Sequence, residues 1–446
     1  MKTSFKGLLS LLSLLALPVV VQAQFTFTTN NGALTITRYT GCGDAVTLPS
    51  TTNGLPVTSI GDYAFILCNS LTTVTIPNSF TNIGNSAFYW CSSLASVTIG
   101  TNVTSVGNFA FYGCTSLTTV AIPNSVTNIG SYAFDGCSSL TTVTIGNSLN
   151  GIGSFAFISC SSLTTISVDA LNSVYSSADG VLFDKSQAAL KQYPTGRAGA
   201  YAISNSVTSI ESSAFYACTS LTSVKIPSSL TNIGGFGFYA CGSLTTISVE
   251  ALNPVYSSVD GVLFDKSQAT LVQFPAGRAG TYTISNSVTS IESSAFSTCT
   301  RLSSVVSPAS VTNIGSYAFN DCTNLTEVYF GGNAPSVGAS VFYSDINATI
   351  YYLPGTTNWF STLDGRPTAL WKPQIAKDAS FGVQTNRFGF NVNWASGMVV
   401  VVEACPNLAN PIWSPLQTNT FTGDSFYFSD PQWTNYPVRL YRLRSL

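Results

Sequence analysis

Nine of the eleven cysteines in this chain occupy one recurring position. Cys68, Cys91, Cys114, Cys137 and Cys160 follow one another at steps of 23 residues, each three residues after a phenylalanine, and Cys218, Cys241, Cys299 and Cys322 resume the pattern. Thiols at fixed spacing could ligate a metal, act as nucleophiles or pair in disulfides. Cysteine-only zinc needs a C-x-x-C cluster, and the sequence has none. There is also no histidine, which removes Ser-His-Asp and Cys-His catalysis and imidazole metal ligation together. Stacked coils would lie about 4.8 Å apart, near enough for bridging. Side chains in such a column point the same way, however, so buried thiols are the favoured reading and some bridging the alternative. Cys42 and Cys405 stand outside the column.

Carboxylates offer the other chemistry. Two of them facing one cleft could hydrolyse a glycosidic bond. The candidates Asp169, Asp179 and Asp184 recur 81 residues later as Glu250, Asp260 and Asp265. Duplication favours turn-forming roles, because an active site seldom needs two copies. A calcium loop would require a denser set of oxygen ligands than these segments carry. We therefore assign no catalytic, cofactor-binding or metal-binding residue.

What remains is surface. Hydroxyl residues alternate with buried positions at Thr73 and Thr75, Ser96 and Thr98, Thr119, Thr142 and Thr144, and Thr165, so they should face outward in rows. Such rows serve β-propensity and solubility, and could also hydrogen-bond an extended partner or order ice. An irregular aromatic set comprises Tyr63, Tyr89, Tyr112, Tyr132, Tyr216, Tyr239 and Tyr317, of which Tyr89, Tyr112, Tyr216 and Tyr239 are the binding candidates. Exposed tyrosines cover apolar surface, anchor protein interfaces or stack on sugar rings.

These positions are set by a repeating unit, for example VTSIGDYAFILCNSLTTVTIPNS from Val57 to Ser79, with apolar columns at Val57, Ile60, Ala64, Phe65, Cys68, Leu71, Val74 and Ile76. So short a unit cannot bury its own apolar face and must lean on its neighbours, which makes the chain a solenoid. Leu71 to Ile76 and its equivalents alternate and are rich in β-branched residues, so each coil should hold one firm strand. Pro77, Pro123 and Pro227 stop several of these strands. Gly61, Gly84, Gly107, Gly130, Gly153, Gly234 and Gly315 are expected to mark a bend.

The columns resemble the BspA-like bacterial leucine-rich repeats, whose 23-residue unit runs C-x-x-L-x-x-I-x-I-P…V-T-x-I-G-x-x-A-F-x-x-C. The match extends over residues 57–371. It implies a mainly β leucine-rich-repeat solenoid of about ten repeats and, for the family, surface-exposed or secreted proteins used in adhesion and protein binding. No partner is carried over with it.

Two near-identical insertions, near residues 169–203 and 250–284, interrupt the register. Each reads as a β-hairpin, and in the repeat that follows Glu211 or Glu292 stands where glycine is usual, suggesting a changed bend. Residues 1–23 have the lysines, apolar run and Val-Gln-Ala ending of a secretory signal peptide cleaved after Ala23. Residues 24–56 alternate as an N-terminal β cap. Residues 378–446 lose the period and carry short strands, predicted at Phe388–Val392, Met398–Ala404, Ser425–Phe428 and Arg439–Arg442, and resemble a small β-sandwich-like domain at the ends of secreted bacterial repeat proteins.

Composition fits this picture. Charged residues make up only 8% of the chain and the formal net charge is −2, so no basic stripe exists for nucleic acid and electrostatic steering is weak. The mature chain should have no transmembrane segment. The leading expectation is a secreted or cell-surface, non-catalytic recognition or adhesion protein that binds an extracellular protein through its repeat surface. The alternative is a glycan-binding accessory protein for extracellular polymer degradation.

Overall fold

The computed structural model describes residues 24–41, 43–409 and 411–445. The signal-peptide reading of residues 1–23 and Cys42 lie outside the described residues. The chain divides into two compact units, residues up to 163 with 167–174, and 164–166 with 175 onward.

In the first unit, Phe25–Asn30 and Ala33–Tyr39 form an antiparallel hairpin. Its turn residues Asn31 and Gly32 have φ of 49° and 81°, the left-handed geometry a two-residue hairpin turn requires. The second hairpin strand then pairs in parallel with Leu55–Ile60, matching Leu34 with Val57 and Ile36 with Ile60. That contact starts a ladder of two-residue strands, Asn82–Ile83, Ser105–Val106, Asn128–Ile129 and Gly151–Ile152. A second parallel sheet runs through Ala45–Thr47, Thr73–Thr75, Ser96–Thr98, Thr119–Ile122 and Thr142–Ile145.

Between the two sheets, each coil makes a turn segment that hydrogen-bonds to the next coil. The Phe65, Phe88, Phe111 and Phe134 amides donate to the Ala87, Ala110, Ala133 and Ala156 carbonyls at 2.7–2.8 Å. Their rings stack in one buried file, Phe88 on Phe111 with centroids 5.1 Å apart and planes 6° from parallel. A large side chain buried this way contributes roughly 1.5–3 kcal/mol, and here it does so only because the neighbouring coil covers both ring faces.

The glycine column has a different cause from the expected bend. A Cβ on Gly130 would sit 2.4 Å from the Asn108 amide nitrogen, and one on Gly153 2.3 Å from that of Ser131. Backbones of successive coils approach too closely there for any side chain. Glu211 can replace glycine because its neighbour is Ala189–Gln192, an insertion strand that is still extended at that point. The space admits a Cβ, and Glu211 pairs with Lys191 at 3.0 Å.

In the second unit, each insertion is a three-stranded meander and not the two-stranded hairpin expected. Tyr175–Ala178, Val181–Asp184 and Ala189–Gln192 pair antiparallel, and Tyr256–Val259, Val262–Asp265 and Thr270–Gln273 repeat the arrangement. Each last strand continues in parallel into the next coil ladder, at Ser209–Ile210 and Ser290–Ile291. Tyr193 and Phe274 end the meanders and start new ring files, stacking on Phe215 and Phe296 at 5.0 Å. Asn253 closes the second insertion from a fully buried position. Its Nδ2 donates to the Pro227 and Leu230 carbonyls at 2.7 and 2.8 Å, and its Oδ1 accepts from the Val255 and Tyr256 amides.

The C-terminal segment builds two antiparallel sheets, one centred on Arg387–Asn393 and one on Val399–Cys405. Their core of Phe390, Val392, Trp394, Val400, Val402, Phe421 and Phe428 also takes in Leu353 of the last coil. The Trp394 indole N–H donates to the Trp371 carbonyl at 3.1 Å.

Candidate binding surface

The coil register turns the hydroxyl residues into two rows on the second sheet of the first unit. Thr73 pairs with Ser96, Ser96 with Thr119 and Thr119 with Thr142. In the other row Thr47 pairs with Thr75 and Thr75 with Thr98; Ala121 then pairs with Thr144. All are half-buried or exposed. Thr165 is half-buried in Thr165–Val168, where the chain passes from one unit to the other.

Hydroxyls elsewhere in the coil behave differently. Thr81, Thr104 and Thr127 each donate back to the coil before, to the Thr58, Thr81 and Thr104 carbonyls at 2.9–3.3 Å. The hydroxyls of Thr73, Thr75, Ser96, Thr98, Thr119, Thr142 and Thr144 have no such bond among the described residues. One set of hydroxyls binds the coils to each other; the other is available to a partner. Thr144 also borders a shallow depression of about 340 Å³ with Asn124, Ser167 and Asp169.

The tyrosines lie in turn segments and form separate surfaces. In the first unit Tyr89 and Tyr112 stack on each other, centroids 4.9 Å apart and planes 9° from parallel. In the second unit Tyr216 and Tyr239 stack at 4.8 Å. The Tyr239 hydroxyl donates to Asp321 at 3.2 Å and accepts from Asn320, and burial together with the Asp321 charge pushes its pKa up to about 12. In each pair one ring face is spent on its neighbour. A further file, Phe109–Tyr132–Phe155, stacks at 5.0 and 5.2 Å. Its 23-residue spacing was legible, but only Tyr132 belonged to the aromatic set read from sequence.

The duplicated carboxylates hold turns. Asp179 and Asp260 occupy left-handed hairpin positions ahead of Gly180 and Gly261. Asp184 and Asp265 each accept a main-chain N–H at 2.7 Å, from Ala189 and Thr270. Asp169 accepts from the Leu171 amide, and Glu250 from the Ser228 amide and Lys225. Asp265 and Glu292 line one cleft of about 400 Å³ in the second unit. Among the described residues, no group of three or more Cys, Asp or Glu is placed to hold a metal ion.

The column cysteines are thiols. Cys91, Cys114, Cys137 and Cys160 donate from Sγ to the phenylalanine carbonyl 26 residues earlier at 3.0–3.2 Å. Burial pushes the Cys114 pKa up to about 12, so the thiolate that attacks or ligates is suppressed.

Parallel coils of this length, each with a strand in each of two parallel sheets and one close-packed turn segment, define a leucine-rich-repeat solenoid. The chain belongs to the BspA-type leucine-rich repeat proteins: that family's repeat matches in 6 copies, over residues 58–185, 198–278 and 279–362. Among solved structures, a leucine-rich cell surface protein from Faecalibacterium prausnitzii is 31% identical, covering 70% of this chain and 94% of that one, with a TM-score of 0.42. A leucine-rich repeat protein from Eubacterium ventriosum is 24% identical over 77% of this chain and 96% of that one, with a TM-score of 0.50. One from T. pallidum is 28% identical over 50% and 88%, with a TM-score of 0.36. No curated protein gives a significant match. Among the described residues, no helix is long and apolar enough to cross a membrane.

Proposed function

We propose that this chain is a secreted or cell-surface recognition protein without catalytic activity, which binds an extracellular protein on its hydroxyl-bearing sheet. In this reading residues 1–23 are removed after Ala23, residues 24–56 cap the first coil, residues 57–371 form the repeat solenoid and residues 378–446 a C-terminal β domain. The observation that carries the proposal is the division of labour among hydroxyls: those tying coil to coil are bonded, whereas Thr73, Thr75, Ser96, Thr98, Thr119, Thr142 and Thr144 stand in register with their hydrogen-bonding capacity unspent. An extended partner meets donors and acceptors repeating every ~4.8 Å across the sheet. Membership in a family with surface-protein relatives supports the location.

Stacking of Tyr89 on Tyr112 and of Tyr216 on Tyr239 leaves these rings less face for sugars, which favours the protein reading over glycan binding at the tyrosines. The test is to probe parallel arrays of extracellular-matrix proteins and glycans with the full mature chain. A protein hit lost in the Thr75→Arg, Thr98→Arg variant is expected. Hits confined to glycans, or a protein hit indifferent to that variant, would refute the proposal.

A further inference from the structure

The outward rows change character in the last parallel sheet of the second unit. Gly280–Thr283, Leu302–Ser307, Glu327–Phe330 and Thr349–Tyr352 run parallel, aligning Thr281 with Ser304, Glu327 and Thr349, and Thr283 with Val306, Tyr329 and Tyr351. Hydroxyls thus give way to a carboxylate in one row and to aromatic rings in the other. Tyr329 stacks on Tyr351 at 4.9 Å, and Trp371 packs against Tyr329 at 4.7 Å. The C-terminal segment rises beside them and closes a groove of about 480 Å³.

That volume is within the range of about 300–1,000 Å³ used for small ligands. One wall is aromatic, with Tyr329 and Trp371 both half-buried. The sheet contributes Thr281, Thr283 and Glu327; the C-terminal segment contributes Gln374, Asn393 and Asp424. Among the described residues, the side chains of Thr281, Thr283, Gln374, Asn393 and Asp424 have no hydrogen-bond partner. The Glu327 carboxylate lies beside the Tyr329 hydroxyl, and burial together with that carboxylate holds the Tyr329 pKa well above its ordinary value. No lysine or arginine lines the groove.

We propose that this groove is a binding subsite for a short run of neutral sugar rings. The C–H face of a pyranose packs against Tyr329 and Trp371, as an apolar surface does on any aromatic ring. Its equatorial hydroxyls donate to Asp424 and Glu327 and exchange hydrogen bonds with the amides of Asn393 and Gln374, which both donate and accept. An anionic polysaccharide would meet two carboxylates and no cation. A peptide adding as a strand would need an open sheet edge; Glu327–Phe330, which carries Glu327 and Tyr329 of the aromatic wall, is paired on both sides, whereas Gly280–Thr283 lies at an edge of the sheet, away from that wall. The subsite is independent of the hydroxyl rows of the first unit and goes beyond the protein-binding reading.

The test is isothermal titration of the full mature chain with cellohexaose, xylohexaose, mannohexaose, maltohexaose and chitohexaose. Binding of at least one hexasaccharide is expected, weakened about tenfold by Asp424→Asn or by Asn393→Ala, each costing one or two hydrogen bonds, and unchanged by Thr101→Val at an exposed position of the other unit. Both substituted side chains are exposed, so the variants should keep the wild-type thermal midpoint, and Trp371→Ala supplies the aromatic arm. No binding across the five sugars would overturn the proposal. So would binding that survives Asp424→Asn, Asn393→Ala and Trp371→Ala alike, or a lysine-containing peptide bound in place of every sugar with the same residue dependence.

Discussion

Replacing Asp345 with asparagine should remove a pH dependence built into the last coil. Asp345 stands 23 residues after Cys322, where earlier coils place cysteine. Cys322 donates from Sγ to the Phe296 carbonyl at 3.0 Å; an ionised carboxylate in the same column has nothing to donate, whereas a neutral carboxylic acid does. The side chain is 1% exposed and neither carboxylate oxygen has a hydrogen-bond partner. Burial raises its pKa from 3.8 to about 7. The nearby Cys322 amide, outside hydrogen-bond geometry, and Arg366, whose Nη1 instead donates to the Asp345 main-chain carbonyl at 3.1 Å, lower it; Asp321 raises it.

The folded chain therefore holds a proton that the unfolded chain releases near pH 4. The stabilisation this gives is complete below about pH 4 and is lost as the pH rises through about 7. The difference between the two protonation states is on the order of 4 kcal/mol. Urea unfolding of wild type and Asp345→Asn, followed by tryptophan fluorescence between about pH 4 and 8, reads it out. Wild type should lose stability relative to the variant as the pH rises. Parallel curves would show that Asp345 is ionised in the fold, and the reasoning would fail.

Three further outcomes follow from the packing. Gly130→Ala should cost about 2–3 kcal/mol in denaturant unfolding, because its Cβ would lie 2.4 Å from a backbone nitrogen of the previous coil; a neutral result would mean the coils are not so closely stacked. Asn253→Ala should lower stability by about 2–4 kcal/mol, leaving the Pro227 and Leu230 carbonyls buried without their donors, and an unchanged midpoint would contradict that. Aromatic disulfide reagent should leave Cys91, Cys114 and Cys137 unmodified in the native chain and titrate them after unfolding; a low count after non-reducing denaturation would mean that the column is bridged.

The repeat was legible because Phe65, Phe88, Phe111 and Phe134 occupy a position that sequence spacing alone aligns, and stacked rings are what that alignment produces. The glycine column was visible but its cause was not: the clash at Gly130 is with Asn108, a backbone that only the coil geometry brings near. The first meander strands, Tyr175–Ala178 and Tyr256–Val259, carry a Tyr-Ser-Ser stretch with little apolar alternation and are held by the Asp-Gly turn after them. In the C-terminal segment the four strands read from sequence appear near their expected places, whereas Ser414–Thr420, with no buried residue, did not stand out. Of the groove, the outward aromatic pair Tyr329 and Tyr351 left a trace at a coil spacing, but Asn393 and Asp424 belong to an aperiodic segment whose approach to the sheet no local pattern encodes.

The direct test of the central claim, that recognition runs along the sheet rows and not the turn segments, is a paired binding measurement on one captured protein partner by surface plasmon resonance. Thr73→Arg with Thr98→Arg should abolish binding, while Tyr89→Ser with Tyr112→Ser should retain it. Loss in the tyrosine variant with full binding in the arginine variant would contradict the claim.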